Sequence, residues 1–255
     1  MKYPTGFALV DYTNTLHPHS EILSSVSFQR PDIIVLAAGS STRFGANKLL
    51  QRFAGSTVLE RVLAAASPVA HRIILVTGFD AERVRAAAER AVAQAAAAEG
   101  GFAQAPTAAR DSGREFGGSF GRDSWRGFDV DPAYNPCYDL GMFSSIQRGV
   151  KEVTTERFAV VPGDLPLLRR EDFETVLSAG APAVVRPRYR GTPGHPVLMS
   201  AKLIPRISSM PPSGSMPEVH AHYDVTYVDV DTPSVCADID TVAEYESLRR
   251  GEAPE

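Results

Sequence analysis

Residues 33 to 36 form an unbroken aliphatic run, Ile-Ile-Val-Leu, and this run restricts the fold of the chain more than any other feature. A run without alternating polar residues is typical of a strand that is buried on both faces, as in mostly parallel sheets. Three small residues follow it, Ala37, Ala38 and Gly39. Because small side chains let a backbone approach a ligand closely, the chain is expected to leave this strand through a ligand-binding loop.

The loop that follows contains two cations, Arg43 and Lys48. Cationic side chains donate charge-assisted hydrogen bonds to phosphate oxygens. The strand and loop together therefore predict a site for a nucleoside triphosphate.

Spacing excludes two common phosphate loops. The P-loop has four residues between its glycines and a lysine directly after the second, whereas here five residues separate Gly39 from Gly45 and the lysine comes at position 48. The dinucleotide-binding fingerprint requires glycines where this chain has Ser41 and Phe44.

Strand patterns alternate with helical patterns along the chain. The strands are predicted at 33–36, 73–76, 158–161, 183–185, 197–199 and 225–230, and the helices at 58–66, 81–98, 170–178 and 242–250, with a further helix entered near Gly141. Capping-box spacing marks two of the helix starts, Thr57 with Glu60 and Thr241 with Glu244. The alternation predicts an α/β fold, a three-layer α/β/α sandwich around a mainly parallel sheet.

Two segments do not follow this pattern. Residues 1–31 show no clear periodicity and are interpreted as an N-terminal arm of unassigned role, which leaves 32–250 as the folded domain. From about 100 to 127 the composition shifts to Gly, Ser, Arg and Phe, which indicates a surface loop or a partly disordered insertion. Long loops inside compact domains are often functional, so a lid is one interpretation of this insertion.

The composition is that of a soluble globular protein, with 44% hydrophobic residues, 22% charged residues and a net charge of -4. It gives no reason to expect a nucleic-acid partner or a membrane partner. The cysteines, Cys137 and Cys236, are too few and too far apart for a disulfide framework or a structural zinc site. A cytoplasmic location is expected.

Carboxylates suited to a metal ion occur in two places. Asp164 directly follows the strand at 158–161, at the carboxyl edge of the sheet where ligands of open α/β folds bind. Asp238 and Asp240 flank Ile239, so both carboxylates share a face if the segment is extended. Mg²⁺ takes one or two protein carboxylates and completes its coordination with phosphate oxygens and water. Asp164 and Asp238 are the predicted ligands; Asp240 is the alternative, because its place before a helix already explains an acidic residue there.

The segment from Leu36 to Lys48 matches the signature LAAGxSxRxGxxK at every fixed position, and through it the chain resembles the MobA-like nucleotidyltransferases. Within that family it is most similar to the molybdenum cofactor cytidylyltransferases, because Ala-Ala-Gly at 37–39 resembles their branch whereas guanylyl members usually have Ala-Gly-Gly. The resemblance spans about 32 to 248 and implies a Rossmann-like, GT-A-like nucleotidyltransferase fold.

Three later segments strengthen the resemblance. NPCYDLGMFSSIQRG at 135–149 is similar to NPxxxxGMxxSxxxG, VVPGDLP at 160–166 contains the family's GDxP, and GTPGHPVLM at 191–199 contains GHPV. The resemblance implies catalytic roles for Arg43, Lys48 and Asp164, with metal binding by Asp164 in GDxP. The residues that it implies for nucleotide or acceptor binding are Leu36, Ala37, Ala38, Gly39, Ser40, Ser41, Gly141, Ser144, Gly163 and His195.

An acceptor site is expected near His195, where a strand should meet the acceptor pocket. Just upstream, Arg186, Arg188 and Arg190 alternate along an extended segment and therefore point to one face. Such a face is a docking place for an acidic pterin phosphate. The alternative is a solvated strand edge.

The resemblance as a whole implies Mg²⁺-dependent transfer of CMP from CTP to the phosphate of molybdopterin, with release of pyrophosphate. Catalysis would come from alignment of the attack and stabilisation of charge, without a protein nucleophile. Two alternatives stay open: transfer to a sugar phosphate or another small phosphorylated acceptor, and non-catalytic delivery of the cofactor to a molybdenum hydroxylase. The joint presence of Arg43, Lys48, Asp164 and Asp238 favours catalysis.

Overall fold

A computed structural model describes residues 29–41, 44–98 and 130–250, with side chains throughout except at 94–98. Most of the N-terminal arm, the insertion predicted at 100–127, and Arg43 lie outside the described residues. The division into an N-terminal arm, 1–31, and one domain, 32–250, therefore stays a prediction. Among the described residues, no helix is both long and apolar enough to cross a bilayer.

The described strands belong to one large sheet and one small ribbon. The strands are β1 (Asp32–Ala37), β2 (Arg52–Phe53), β3 (Ser56–Thr57), β4 (Arg72–Thr77), β5 (Val130–Tyr134), β6 (Arg157–Pro162), β7 (Val184–Tyr189), β8 (Thr192–Pro193), β9 (Val197–Ser200) and β10 (Val225–Asp229). The order across the large sheet is β10-β7-β9-β6-β1-β4-β5, with β8 added to β7, and β2 pairs with β3 in the ribbon. β9 runs antiparallel to both of its neighbours, while β6, β1, β4 and β5 are parallel.

Helices cover both faces of the sheet. They are α1 (Val58–Ala66), α2 (Ala81–Ala98), α3 (Met142–Val150), α4 (Arg170–Leu177), α5 (Ile204–Ser209), α6 (Met216–His220) and α7 (Val242–Arg249). One buried cluster joins the sheet to α1, α2 and α4, and a second joins the opposite face to α3, α5 and α6. The predicted three-layer α/β/α sandwich with a mainly parallel sheet is confirmed.

β1 lies between the two buried clusters and contributes residues to both. Ile33 and Val35 enter one cluster and Ile34 and Leu36 the other, because successive side chains of a strand point to opposite faces. All six residues of β1 are buried, which explains why its sequence has no polar alternation. At Gly149 of α3, an added Cβ would lie 2.6 Å from Ile34 Cγ2, so the glycine lets the helix pack directly on β1.

At the amino edge of the sheet, the fully buried carboxylate of Asp32 connects three segments. It accepts from Arg72 Nε at 3.2 Å and from Thr154 N at 2.7 Å. The Asp32 backbone N donates to Thr155 Oγ1 at 2.9 Å. These bonds hold the first residues of β1 and β4 against the loop before β6.

Candidate active site

The carboxyl ends of β1 and β6 lie side by side, with Leu36 paired to Pro162. The Gly163 N donates to the Leu36 O at 2.9 Å, so the turn after β6 crosses the end of β1. A Cβ at Gly163 would lie 3.0 Å from that same oxygen, which leaves little room for any other residue. As a result, Asp164 lies beside the loop that was predicted to bind phosphate.

Lys48 projects from the other side of the same loop. It begins a 3-10 turn, Lys48–Leu50, which Asn47 caps by accepting from the Leu49 N at 3.2 Å. The Lys48 N donates to Ser41 Oγ at 3.3 Å, which ties the turn back to the loop. The Lys48 ammonium contacts Asp164 Oδ2 at 2.6 Å and Asp240 Oδ1 at 2.9 Å.

The protonation of Lys48 follows from these contacts. Burial lowers the pKa of the ammonium, but the attraction and hydrogen bonds of Asp164 and Asp240 outweigh burial and raise it above its ordinary value. Lys48 is therefore positively charged at neutral pH. Since its partners come from after β6 and from before α7, this one side chain joins three distant parts of the sequence.

The acidic segment before α7 is fixed by its backbone and by the helix cap. Ile239 is fully buried, and its N donates to the Asp164 O at 3.1 Å. Asp238 and Asp240 face the opposite way and line a cleft, as the alternation predicted. Thr241 and Glu244 form the predicted capping box of α7, and the Asp240 N also donates to Glu244 Oε2 at 2.8 Å.

These carboxylates fit a divalent cation. Asp164 Oδ1 is buried and has no hydrogen-bond partner among the described residues. The pKa of Asp238 is raised, first by burial and then by the negative charges of Asp164 and Asp240, while Lys48 acts in the opposite direction. A cation would satisfy the free oxygen and relieve the repulsion between the carboxylates. Within the described part of the chain, no group of three or more His, Cys, Asp or Glu could hold a metal ion, so bound phosphate or water would have to complete its coordination.

The cleft has a volume of about 870 Å³ and runs along the carboxyl edge of the sheet. Its charged lining is unbalanced: among the described residues, Lys48 is the cation and Asp139, Asp164, Asp238 and Asp240 are the anions. Several residues predicted from the sequence line it, namely Leu36, Ala38, Gly39, Ser40, Ser41, Lys48, Gly141, Asp164, His195 and Asp238.

Three predicted residues do not line the cleft. Ala37 is buried in the core, and Gly163 lies under the Leu36 carbonyl. Ser144 is also buried, and its Oγ lies 2.8 Å from both the Cys137 O and the Gly141 O, either of which can accept its single proton. The structure thus places the Ser144 hydroxyl inside the turn that precedes α3.

Ser145, which sequence reasoning missed, lines the cleft instead. Asn135 Nδ2 donates to the hydroxyls of both Ser144 and Ser145 at 3.0 Å, and so fixes the start of α3. A signal for Ser145 was available. Counted from Gly141, the spacing NPxxxxGMxxSxxxG puts its serine at position 145.

His195 also lines the cleft, on the turn between β8 and β9. Its N donates to the Val235 O at 2.8 Å, and a Cβ at Gly194 would lie 2.4 Å from that oxygen. The turn therefore requires glycine before the histidine. Burial, and then the nearby Arg186 guanidinium, lower the pKa of His195 to about 4, against a smaller opposing effect of the Val160 carbonyl. The imidazole is neutral at pH 7.

The three arginines upstream of His195 do not line the cleft. Arg186 Nε donates to the Gly194 O at 3.0 Å and fastens the turn that carries His195. Arg188 forms two hydrogen bonds to the Asp229 carboxylate, at 2.8 and 3.1 Å. The Arg190 guanidinium lies 5.1 Å from the ring centroid of Tyr189. The arginine face predicted for an acidic pterin is thus occupied by contacts within the protein.

The chain is similar in sequence and in fold to known nucleotidyltransferases. The family model described as "MobA-like NTP transferase domain" matches residues 33–226. The molybdenum cofactor cytidylyltransferase of Escherichia coli (strain K12) is 25% identical over 214 residues, which are 84% of this chain and 93% of that protein.

Solved structures with this fold include Rv0371c from Mycobacterium tuberculosis H37Rv, with a TM-score of 0.63 and 22% identity over 87% of this chain and 99% of that one. A nucleotidyl transferase from Methanothermobacter also has a TM-score of 0.63, with 20% identity over 86% of this chain and 96% of that one. Rv0371c has also been solved in complex with manganese, a structure with a TM-score of 0.58 and 22% identity that covers 86% of this chain and 97% of that one. At these identities the structural similarity establishes a common fold.

Proposed function

The chain belongs to the MobA-like NTP transferase family, and from this premise we propose that it transfers CMP from CTP to the phosphate of molybdopterin, with Mg²⁺ as cofactor. Nucleotidyl transfer is the activity of the family. The choice of CTP and of a pterin acceptor is supported by the similarity to the Escherichia coli molybdenum cofactor cytidylyltransferase.

One observation carries the proposal: the Lys48 ammonium and the Asp164 carboxylate meet at 2.6 Å in the cleft at the end of β1 and β6. A phosphate-binding cation and a metal-binding carboxylate at one place are what a metal-bound polyphosphate requires. Had these two side chains opened onto different surfaces, a single catalytic centre would be excluded.

The charge of the cleft supports a metal requirement. A nucleoside triphosphate is highly anionic, and the described lining offers it one ammonium and four carboxylates. Without a divalent cation the carboxylates would repel the phosphates. When bound, Mg²⁺ would be held by Asp164 together with Asp238 or Asp240 and would neutralise charge on the phosphate oxygens.

The protein's own groups would act on the triphosphate from several sides. Amides and hydroxyls of the loop at 39–41 would hold the phosphates, and Lys48 with Arg43 would donate to the oxygens on which charge develops. An oxygen of the acceptor phosphate forms a bond to the α-phosphorus. The bond from that phosphorus to the bridging oxygen breaks, and pyrophosphate leaves with the electron pair. Ser145 and Gly141 would border the nucleotide, and His195 would border the acceptor.

A sugar phosphate is the second candidate acceptor. Arg186, Arg188 and Arg190 lie outside the cleft lining and contact groups of the protein itself, so they give no preference for an acidic pterin over other phosphorylated molecules. Similarity to the cytidylyltransferase therefore supports the pterin more than the charge of the cleft does.

A substrate panel tests the proposal. The protein is incubated with Mg²⁺, each of the four ribonucleoside triphosphates and either molybdopterin or a set of sugar phosphates, and pyrophosphate is measured. We expect release with CTP and molybdopterin. Release of pyrophosphate only with a sugar phosphate would refute molybdopterin as the acceptor. Release with another triphosphate in place of CTP would refute cytosine as the base.

Asp164→Asn tests the site within that assay. The amide keeps the shape of the side chain but has no negative charge for a cation, so turnover is expected to fall by at least about 100-fold. Asp229→Asn is the matched control, since Asp229 pairs with Arg188 outside the cleft, and its activity should stay near that of the native protein. Near-normal turnover of Asp164→Asn would remove this residue from the centre.

A further inference from the structure

The Lys48 ammonium lies where a divalent cation would have to bind. It bridges Asp164 Oδ2 and Asp240 Oδ1 at 2.6 and 2.9 Å, and Asp238 is close enough to feel the charges of Lys48 and both carboxylates. An ammonium and a divalent metal ion compete for such oxygens because both are compact cations. Lys48 is also the one cation among the described residues of the cleft, so a triphosphate bound there would need its ammonium.

We propose that the Lys48 ammonium occupies the cation position between Asp164 and Asp240 until metal and triphosphate arrive together, so that the two ligands bind cooperatively. This inference rests on the metal site in the proposed function. It adds an order of events that the family activity does not specify: neither free metal nor free triphosphate binds well, and the complex of the two is the substrate form that the resting site accepts.

Cooperativity follows because each ligand alone has to break the same ion pairs. A metal ion alone displaces Lys48 from Asp164 and leaves the ammonium without its partner in a partly enclosed site. A triphosphate alone draws Lys48 away and leaves its phosphates beside unneutralised carboxylates. When both bind, the metal takes the carboxylates and the phosphates take the ammonium. The free energy of this exchange is shared, so each ligand raises the affinity of the other by the same factor.

The local structure allows this exchange without a change in the fold. The backbone of Lys48 is held by its 3-10 turn and by the bond from its N to Ser41 Oγ, so the side chain alone has to move. A lysine has a flexible four-carbon stem that suits this movement. The Asp240 side chain is 49% exposed, so this ion pair is open to the cleft on one side.

The test measures binding of Mn²⁺ in the absence of any nucleotide. Bound Mn²⁺ is determined from the decrease in the electron paramagnetic resonance signal of unbound Mn²⁺. Lys48→Met removes the competing ammonium while keeping the apolar stem, and we expect it to bind Mn²⁺ about 10-fold more tightly than the native protein. Lys48→Arg keeps a cation at this position and should bind Mn²⁺ as weakly as the native protein does. Asp164→Asn should abolish the tight binding when combined with Lys48→Met, which assigns the signal to this centre.

A measurement at high salt distinguishes displacement of the Lys48 ammonium by Mn²⁺ from a long-range effect of the lysine charge. The measurement is repeated near 1 M salt, where the screening length falls to about 3 Å. Displacement of a contacting ammonium should persist there, whereas a general effect of removing a positive charge should vanish. Each variant is first checked by thermal unfolding, and Lys48→Gln serves as a second substitution if Lys48→Met does not fold.

Equal affinities of native protein and Lys48→Met for Mn²⁺ would overturn the inference, as would a difference that disappears in high salt. These outcomes are independent of the acceptor. A native protein that releases no pyrophosphate with molybdopterin would refute the proposed function, while the Mn²⁺ titrations would still decide whether Lys48 holds the cation position.

Discussion

At the scale of single residues, the neighbours of each titratable group set its charge in the cleft. Carboxylates raise the pKa of Lys48 and keep it cationic, whereas burial and Arg186 lower the pKa of His195 and keep it neutral. Lys48 therefore adds a positive charge to the cleft, whereas His195 adds an uncharged ring.

The low pKa of His195 makes a prediction about stability and pH. In the unfolded chain a histidine takes up its proton near pH 6.5, whereas in the folded protein His195 does so only near its pKa of about 4. Between these values the unfolded state binds more protons, so stability falls as the pH falls from about 6.5 to 4. In urea unfolding at pH 7 and pH 5, His195→Gln should lose less stability than the native protein. Equal losses would show that His195 is not held neutral by folding.

Individual site residues differ in how far the sequence predicted them. Asp164 was predicted because a carboxylate that directly follows a buried strand has a position fixed by the sheet. Asp240 was preferred less than Asp238, yet it is Asp240 that contacts Lys48, across 192 positions of sequence. A local sequence pattern cannot predict a contact between residues so far apart. The orientation of the segment at 238–240 depends on how Ile239 packs in the folded protein.

At the scale of elements, the same capping motif begins two helices with different roles. α1 and α7 both start at a threonine with a complete capping box, Thr57 with Glu60 and Thr241 with Glu244. The first box lies in the core layer, and the second directly follows the acidic segment. The same local motif therefore supports the fold in one place and the candidate metal site in the other.

This pair allows a matched prediction. Thr57→Ala and Thr241→Ala should each lower the free energy of unfolding by about 1 kcal/mol, the usual cost of losing an N-cap side chain. Since Asp240 directly precedes Thr241 and bonds to Glu244, only Thr241→Ala should also raise the Mn²⁺ concentration needed for half-maximal pyrophosphate release. An equal shift in Thr57→Ala would mean that the effect comes from general loss of stability.

Most helices were predictable, and the two that were missed share a physical cause. The helices at 58–66 and 81–98 were predicted with the bounds they have, because the first begins at a capping box and the second is rich in strong helix formers. α5 (IPRISS) and α6 (MPEVH) were missed. Each is six residues or fewer and begins near a proline, so packing onto the second buried cluster, rather than local sequence preference, makes them helical.

At the scale of the whole molecule, the candidate site is assembled from distant parts of the chain. The loop after β1, the turn after β6 and the segment before α7 meet because the sheet places β1 beside β6 and because Ile239 attaches to the Asp164 backbone. Alternation of strands and helices predicted the sheet and its binding edge. It could not predict that β9 is inserted antiparallel between β6 and β7, since strand direction is not encoded in a short apolar run.

Ile239→Ala tests this assembly. Ile239 is fully buried in a small cluster with Phe53, Val58, Tyr245 and Leu248, so its truncation should cost about 3 kcal/mol of stability. It should also loosen the acidic segment and weaken Mn²⁺ binding in the presence of CTP. Leu248→Ala, in the same cluster but at the far end of α7, is the control and should reduce stability while leaving Mn²⁺ binding nearly unchanged. Weaker Mn²⁺ binding in both variants would assign the effect to the helix as a whole.

The hydrogen bonds of the buried Asp32 carboxylate affect the distance between Lys48 and Asp164 at the other end of the sheet. Parallel strands have no hairpin turn to set their alignment, and sliding β1 by two residues would preserve which side chains face each core layer. Such a slide would displace its loop by about 6.6 Å and carry Lys48 out of reach of Asp164. Because Asp32 accepts from both Arg72 and Thr154, it fixes the axial position of β1 against its two neighbours. A carboxylate remote from the candidate site thus sets the distance between the loop that carries Lys48 and the turn that carries Asp164.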